Sequence, residues 1–372
     1  MTKHIKVLSI LLLFVFIMSM SGCFNQNKYQ DIVIGVAWPF ESNNSLFREG
    51  VQLAVMQIND NGGVNGHKIR LVEKDDQSSV TDGMRIAQSF ADSTEITAVI
   101  GHRNSFVSIP ASRIYQEAGL LMISPASTAP DLTKNGYKNV FRSIPSDDEI
   151  AARLASYAVK QGHQRMVIFY SEDSYGTDLA NSFEDHADRN GIMIVDRISY
   201  YGGLKDLNRL KEKWTALDFD GVFVADSLPE GAEFFSDARR AGISVPFMGG
   251  NALDSPVLYE IAGKSALGTV IGSVFNPHDP RDVSQRFVKA FWKQYKTMPG
   301  TYAAQGYDAV NLLAAAIKKS DSTDSVAIAK KLHSLKKWSG VTGYHSFDNN
   351  GNDIGAKVVL KIQTGNGFEC MQ

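Results

Sequence analysis

From residue 31 onward, short runs that are apolar throughout alternate with longer amphipathic ones. Residues 31–38 (DIVIGVAW) predict a strand, 47–59 a helix, 68–73 a strand and 84–91 a helix. Residues 96–101 predict the next strand, 106–118 a helix, and 120–123 a fourth strand. Strands that are apolar on both faces belong to parallel sheets covered by helices, which makes this an α/β chain.

The pattern restarts near Asp147. Residues 150–160, 179–190, 204–216 and 230–241 predict helices, and 165–170, 192–198, 221–225, 245–249 and 267–274 predict strands. After Pro277 helices dominate, at 284–295, 303–319 and 325–335, before a last strand at 356–362. A doubly wound sheet is completed by returning helices, so the tail is expected to cover the first unit, with only its final strand joining the second. The halves are expected to be linked by short segments near 142–146 and 275–280.

The amino terminus has its own pattern. Lys3, His4 and Lys6 precede an apolar stretch at 7–16, shorter than the ~20 residues of a spanning helix, and small residues then lead to a cysteine. Met20-Ser21-Gly22-Cys23 resembles a bacterial lipobox, although the third residue before the cut is more usually Leu. Residues 1–22 are therefore read as a lipoprotein signal peptide, Cys23 as the lipid attachment point and 23–30 as a polar tether. A signal peptide with a chance cysteine is the alternative. The only other cysteine, Cys370, would have no partner, so no disulfide framework is expected. Cleavage would remove two lysines and no acid, taking the formal charge from −2 to −4. That balance gives no electrostatic case for nucleic acid, and membrane contact is assigned to the lipid anchor. Roughly 350 residues remain, enough for two domains with their own cores.

In open α/β sheets ligands bind beyond the carboxyl ends of strands. Here those ends carry Trp38-Pro39-Phe40, His102 to Ser105, Ser124 to Thr128, Ser171 to Tyr175, Asp226-Ser227 and Gly249-Gly250-Asn251. Two sets of such ends facing each other would form a cleft. The eight histidines show no i, i+4 pair and no neighbouring cysteine, so no metal site is expected. His102 alone stands where a ligand could lie, and a solvated or supporting role is the plainer reading. No G-x-S-x-G elbow, P-loop or G-x-G-x-x-G is present, so the chain is expected to be neither a hydrolase nor a nucleotide binder, with no cofactor. Asp75-Asp76 and Glu172-Asp173 read as solvated strand edges.

The segment Met122 to Thr133, MISPASTAPDLT, crowds hydroxyls and prolines at a strand exit. Ser105 stands at a helix start and Thr128 in the loop after the fourth strand; each alone could be a cap or turn residue. Together they form two hydroxyl-rich loops at neighbouring strand ends, suited to an anion.

Seven segments in order carry a resemblance: 54–66 (AVMQINDNGGVNG), 99–111, 121–133 (LMISPASTAPDLT), Phe141-Arg142, Tyr175-Gly176, 247–256 (FMGGNALDSP) and 307–310 (YDAV). The chain resembles the type I periplasmic binding proteins of the leucine/isoleucine/valine-binding family, receptors of branched-chain amino acid ABC transporters. The resemblance implies two doubly wound parallel-sheet lobes joined by a three-segment hinge. Residues 31–145 with 276–354 would form one lobe and 146–275 with 355–372 the other. It further implies that Ser105 binds a ligand carboxylate, with Thr128, the backbone of Ala126 and the adjoining Ser127 completing the grip. Thr128 would also receive the α-ammonium, and Tyr175 would cover the ligand. Asn251 stands where the family usually has an acid, which is the chief departure. Asp226 is a candidate to restore that charge, or else a helix cap; Ser227 stands where leucine-binding proteins hold an aromatic residue. The pocket is thus expected to be more polar than a leucine site, taking an amino acid or a related small carboxylate or amide. ABC permease subunits, a lipid-anchored extracytoplasmic location and a monomeric state complete the expectation. The alternative is a non-transport envelope lipoprotein of the same fold, acting as a ligand sensor or protein-interaction partner.

Overall fold

The computed structural model describes residues 31–41, 45–365 and 367–371, so the predicted signal peptide, the tether and Cys23 lie outside the described residues. The chain first lays down β1 (Ile32–Trp38), α1 (Phe47–Asp60), β2 (Ile69–Asp75), α2 (Val80–Ala91), β3 (Ile96–Gly101), α3 (Ser105–Glu117), β4 (Leu121–Ser124), the short α4 (Asp131–Lys134) and β5 (Val140–Arg142). These strands form one parallel sheet in the order β2-β1-β3-β4-β5. Then follow α5 (Asp147–Gln161), β6 (Arg165–Tyr170), α6 (Ser174–Arg189), β7 (Met193–Ile198), α7 (Leu204–Ala216), β8 (Gly221–Ala225), α8 (Glu230–Arg240), β9 (Phe247–Gly249), α9 (Val257–Ala262) and β10 (Val270–Ser273). The tail is α10 (Asp282–Tyr295), α11 (Thr301–Ser320), α12 (Ser325–Ser334), the small pair β11 (Trp338–Ser339) and β12 (Tyr344–His345), then β13 (Val359–Thr364) and β14 (Gly367–Cys370). The second sheet runs β14-β13-β10-β9-β8-β6-β7.

The period-two alternation of each strand sends its side chains to opposite layers. In β1, Ile34, Val36 and Trp38 pack with Tyr302, Val310 and Leu313 of the returning α11, whereas Ala37 faces Ile86 and Phe90 of α2. The tail helices therefore do cover the first sheet. In the second sheet, Met166 and Ile168 meet Leu154 and Phe183, while Val167 and Phe169 meet Trp214 and Phe234. Phe183 stacks on Phe223 with ring centroids 3.8 Å apart.

Three differences from the sequence pattern have physical causes. Helices α2, α5 and α6 start three to five residues before the apolar periodicity does, because polar side chains satisfy their first-turn amides. Ser79 accepts from Asp82, Ser146 forms a capping box with Glu149, and Asp173 accepts from Gly176. The short β5, α4 and α9 are too brief to carry a period. Finally, two strands join the second sheet from the tail, not one: β13 pairs antiparallel with β10, and β14 pairs antiparallel with β13 through a hairpin. The parallel order expected for this lobe ends at β10.

The chain passes between the sheets three times: from β5 to α5, from β10 to α10, and from β12 to β13. Arg142 joins two of these passages. Its buried guanidinium donates to the Thr128 carbonyl at 3.0 Å, the Ala129 carbonyl at 2.7 Å, Thr133 Oγ1 at 2.9 Å and Asn352 Oδ1 at 2.6 Å. The loop after β4 is thereby fixed to the lobe junction.

Candidate functional site between the lobes

The loop after β3 is held from behind. His102 is fully buried, its Nδ1 2.7 Å from Asp76 Oδ2 and its Nε2 3.2 Å from the Tyr115 hydroxyl. It is neither solvated nor free to meet a ligand, and it supports the backbone that leads to Ser105. Ser124 and Ser127 both donate to the His102 carbonyl, and Ser127 also donates to the Arg103 carbonyl at 3.1 Å and meets Ser108 Oγ at 2.5 Å. The hydroxyl of Ser127 is thus committed to joining two loops, contrary to its expected place in the ligand grip. Ser105 Oγ accepts from the Ala129 amide at 3.3 Å, a further tie between these loops.

A small cavity of about 20 Å³ lies between the carboxyl ends of the two sheets. Ser105 and Ala126 line it from the first lobe, and Tyr175, Ser227 and Asn251 from the second, so five of the expected residues converge there. That volume holds about one water molecule, so an amino acid enters only if the lobes part. The Tyr175 hydroxyl accepts from the Ala252 amide at 3.3 Å. Gly250 makes this possible, because a Cβ there would stand 2.3 Å from that hydroxyl.

Asn251 of this lining, and Thr128 and Asp147 near the lining residues Ala126 and Tyr175, carry buried polar atoms short of partners. Thr128 Oγ1, Asn251 Oδ1 and both carboxylate oxygens of Asp147 are buried without a well-formed hydrogen bond, whereas most buried polar atoms in folded proteins have partners. Asp147 is the sharpest case. Burial raises its pKa to about 8, against the opposing pull of the Thr128 hydroxyl and the Arg142 guanidinium and with the help of Asp178 and Asp173. It is also close enough to Tyr175 to help raise the phenol, chiefly raised by burial. Sequence reasoning missed this residue because Ser-Asp-Asp-Glu reads as a helix first turn, and Asp147 does open α5. Its backbone amide donates to the Thr128 carbonyl at 3.0 Å, which ties the start of α5 to the loop after β4.

Asp226 stands elsewhere. It lines an outer chamber of about 1090 Å³ that shares Arg103, Asn104 and Ser227 with the small cavity. Burial raises its pKa to about 7, and its Oδ1 accepts from the Ser227 amide at 2.7 Å. It does not cap α8, whose cap position is Pro229. Asp226, the expected partner of the ammonium, does not line the small cavity, whereas Asp147 lies within electrostatic reach of Tyr175, which does. Among the described residues no cluster of His, Cys, Asp and Glu could hold a metal ion.

Two α/β lobes meeting at the carboxyl ends of their sheets, with a polar cavity at the junction, define a binding protein of the periplasmic type. The chain belongs to the periplasmic binding protein family, whose model matches residues 32–365. It is 30% identical over 350 residues to a Leu/Ile/Val-binding protein homolog of Brucella abortus, covering 92% of this chain and 93% of that protein. An ABC transporter substrate-binding protein of Desulfitobacterium hafniense, solved in complex with Leu, is 53% identical with a TM-score of 0.86, covering 92% of this chain and all of that one. A leucine-binding protein of Thermotoga maritima is 27% identical with a TM-score of 0.84, covering 92% and 98%.

Proposed function

We propose that this protein is the extracytoplasmic solute-binding component of an ABC transporter, closing its lobes on one α-amino acid of the branched-chain type and presenting it to permease subunits. The observation that carries this reading is the unsatisfied group beside the interlobe cavity. Ser105 and the loop at Ala126–Thr128 offer hydrogen bonds to a carboxylate. Thr128 Oγ1, Asn251 Oδ1 and, on loss of its proton, Asp147 offer acceptors and a negative charge that an ammonium would complete. Both termini of an amino acid are thereby addressed, one with each kind of group. The names of the relatives, which concern leucine, isoleucine and valine, support the branched-chain choice.

In this reading closure is hinge bending across the three passages, between a lobe of 31–145 with 276–354 and a lobe of 146–275 with 355–372, and it is driven by contacts to both at once. The mature protein is a lipid-anchored monomer attached through Cys23. Thermal denaturation with leucine, isoleucine, valine and a panel of polar amino acids tests the ligand class, since a ligand of the folded state raises the melting temperature. No shift with any amino acid at millimolar concentration would remove the reading. A ligand sensor of the same fold would share the site, and uptake of labelled leucine, lost on deleting the gene, separates the two. Mass spectrometry of the mature amino terminus tests the anchor: an unmodified Cys23 refutes it.

A further inference from the structure

We propose that the outer chamber is a second compartment of the ligand site, taking a cationic group carried on the side chain of the amino acid held in the small cavity. The proposal rests on the amino-acid reading and extends it from apolar side chains to basic ones. The chamber adjoins the small cavity at the shared residues Arg103, Asn104 and Ser227, so a long side chain held in the clamp has only these residues to pass to reach it. Its volume, about 1090 Å³, far exceeds what a leucine side chain occupies.

The chamber wall is charged in one sense. Glu172, Asp173, Asp226, Glu230 and Glu233 line it, and among the described residues Arg103 is its only lysine or arginine. Arg103 is engaged by Tyr302 of the small cavity, whose ring it overlies at 5.1 Å and whose hydroxyl it approaches at 3.4 Å. Most of the carboxylates have local reasons for their positions. Asp173 caps α6, Glu172 accepts from Ser199 at 2.7 Å, and Glu230 and Glu233 sit in the first turn of α8, where the helix dipole favours them. Asp226 has no such reason. It is 5% exposed, has only neutral donors beside it, the neighbouring Ser227 amide and the Ser171 hydroxyl, and has no cation within ion-pair distance among the described residues. A buried carboxylate without a counter-charge is costly, and a cation arriving from the chamber would supply that charge. Phe106, Phe169 and Tyr201 add apolar walls and ring faces suited to the methylene stem and the cation.

The test is calorimetric titration of the purified mature protein with three neutral–cationic pairs of similar length: norvaline and 2,4-diaminobutyrate, norleucine and ornithine, citrulline and arginine, with leucine in parallel. The expected result is that at least one cationic member binds tenfold or more tightly than its neutral counterpart. Asp226→Asn should bring that ratio within about twofold, and the exposed Glu230→Gln, which does not threaten the fold, should reduce it in the same direction. If leucine binds and no cationic amino acid exceeds its counterpart, or if the preference survives Asp226→Asn, the chamber proposal is overturned while the amino-acid reading stands. A cationic amino acid bound without leucine would overturn the branched-chain choice and keep the chamber. A protein that binds none of them overturns both.

Discussion

Because Asp147 is buried with a pKa near 8, binding of an ammonium beside it must be coupled to loss of a proton. At pH 7 about nine-tenths of the free molecules hold that proton, and each unit of pH below 8 costs about 1.4 kcal/mol to remove it. If the bound state holds Asp147 ionised, affinity for leucine rises about ninefold from pH 6 to 7, about fivefold from 7 to 8, and less than about twofold from 8 to 9. The ammonium stays charged over most of that range. The groups facing Asp147 are the Thr128 hydroxyl, the Arg142 guanidinium, Asp173, Asp178 and Tyr175; the lone cation is kept from neutralising it by burial. Calorimetry at pH 7 in buffers of different ionisation enthalpy should report release of about 0.9 proton per leucine. Asp147→Asn should abolish the release and weaken binding at pH 8 by roughly tenfold to a hundredfold, the worth of a hydrogen bond to a charged group. Its stability effect has the opposite sign. The folded protein holds a proton that the unfolded chain has lost between pH 3.8 and about 8, so this residue makes stability fall as pH rises through that window. Asp147→Asn should therefore melt higher than the parent at pH 8. A heat of binding independent of buffer, together with an affinity that is flat from pH 6 to 8, would refute the assignment.

Other outcomes follow from the same contacts. Ser105→Ala should weaken leucine binding by roughly tenfold or more in the same calorimetry, with only a small drop in melting temperature, since its one bond within the fold is the long one from Ala129. Gly250→Ala forces Tyr175 out of the position in which its hydroxyl meets Ala252, and should weaken binding more than it lowers stability. Arg142→Met leaves the Thr128 and Ala129 carbonyls without their donor and should cost roughly 3 kcal/mol or more in urea denaturation. His345 is buried, which lowers its pKa, but Asp353 and Asp308 outweigh burial and raise it to about 10. Its contribution to stability is thus complete below pH 6.5 and lost as pH rises through 10, and His345→Gln should flatten the fall in melting temperature across that window.

The fold was largely legible because its strands and helices differ in period and its parallel strands are apolar on both faces. The two tail strands were less so. Residues 367–370, GFEC, alternate too briefly to announce a strand, and only pairing with β13 makes them one. Helix starts were misplaced wherever a cap did the work of the first turn, as at Ser146 and Asp173. The strand-end rule brought out the loops holding Ser105, Ala126, Tyr175, Ser227 and Asn251, since a strand exit can be read from the chain. It could not say which hydroxyls face the cavity. Ser127 and Thr128 are neighbours, yet one is bound to the His102 and Arg103 carbonyls and the other is turned to the buried Asp147, a division set by loops from different strands.

By itself, then, the sequence determined the α/β order, the returning tail helices and the strand ends where a ligand could be held, because these depend on local periodicity and on chain direction. Only the tertiary structure decided where the charges stand. Asp147, which reads as an ordinary first-turn acid, is buried near Tyr175 of the cavity wall, and Asp226, the acid one would choose from its strand end, faces the outer chamber. Burial and the company of a carboxylate are properties of packing between distant segments, and no local pattern in the chain encodes them.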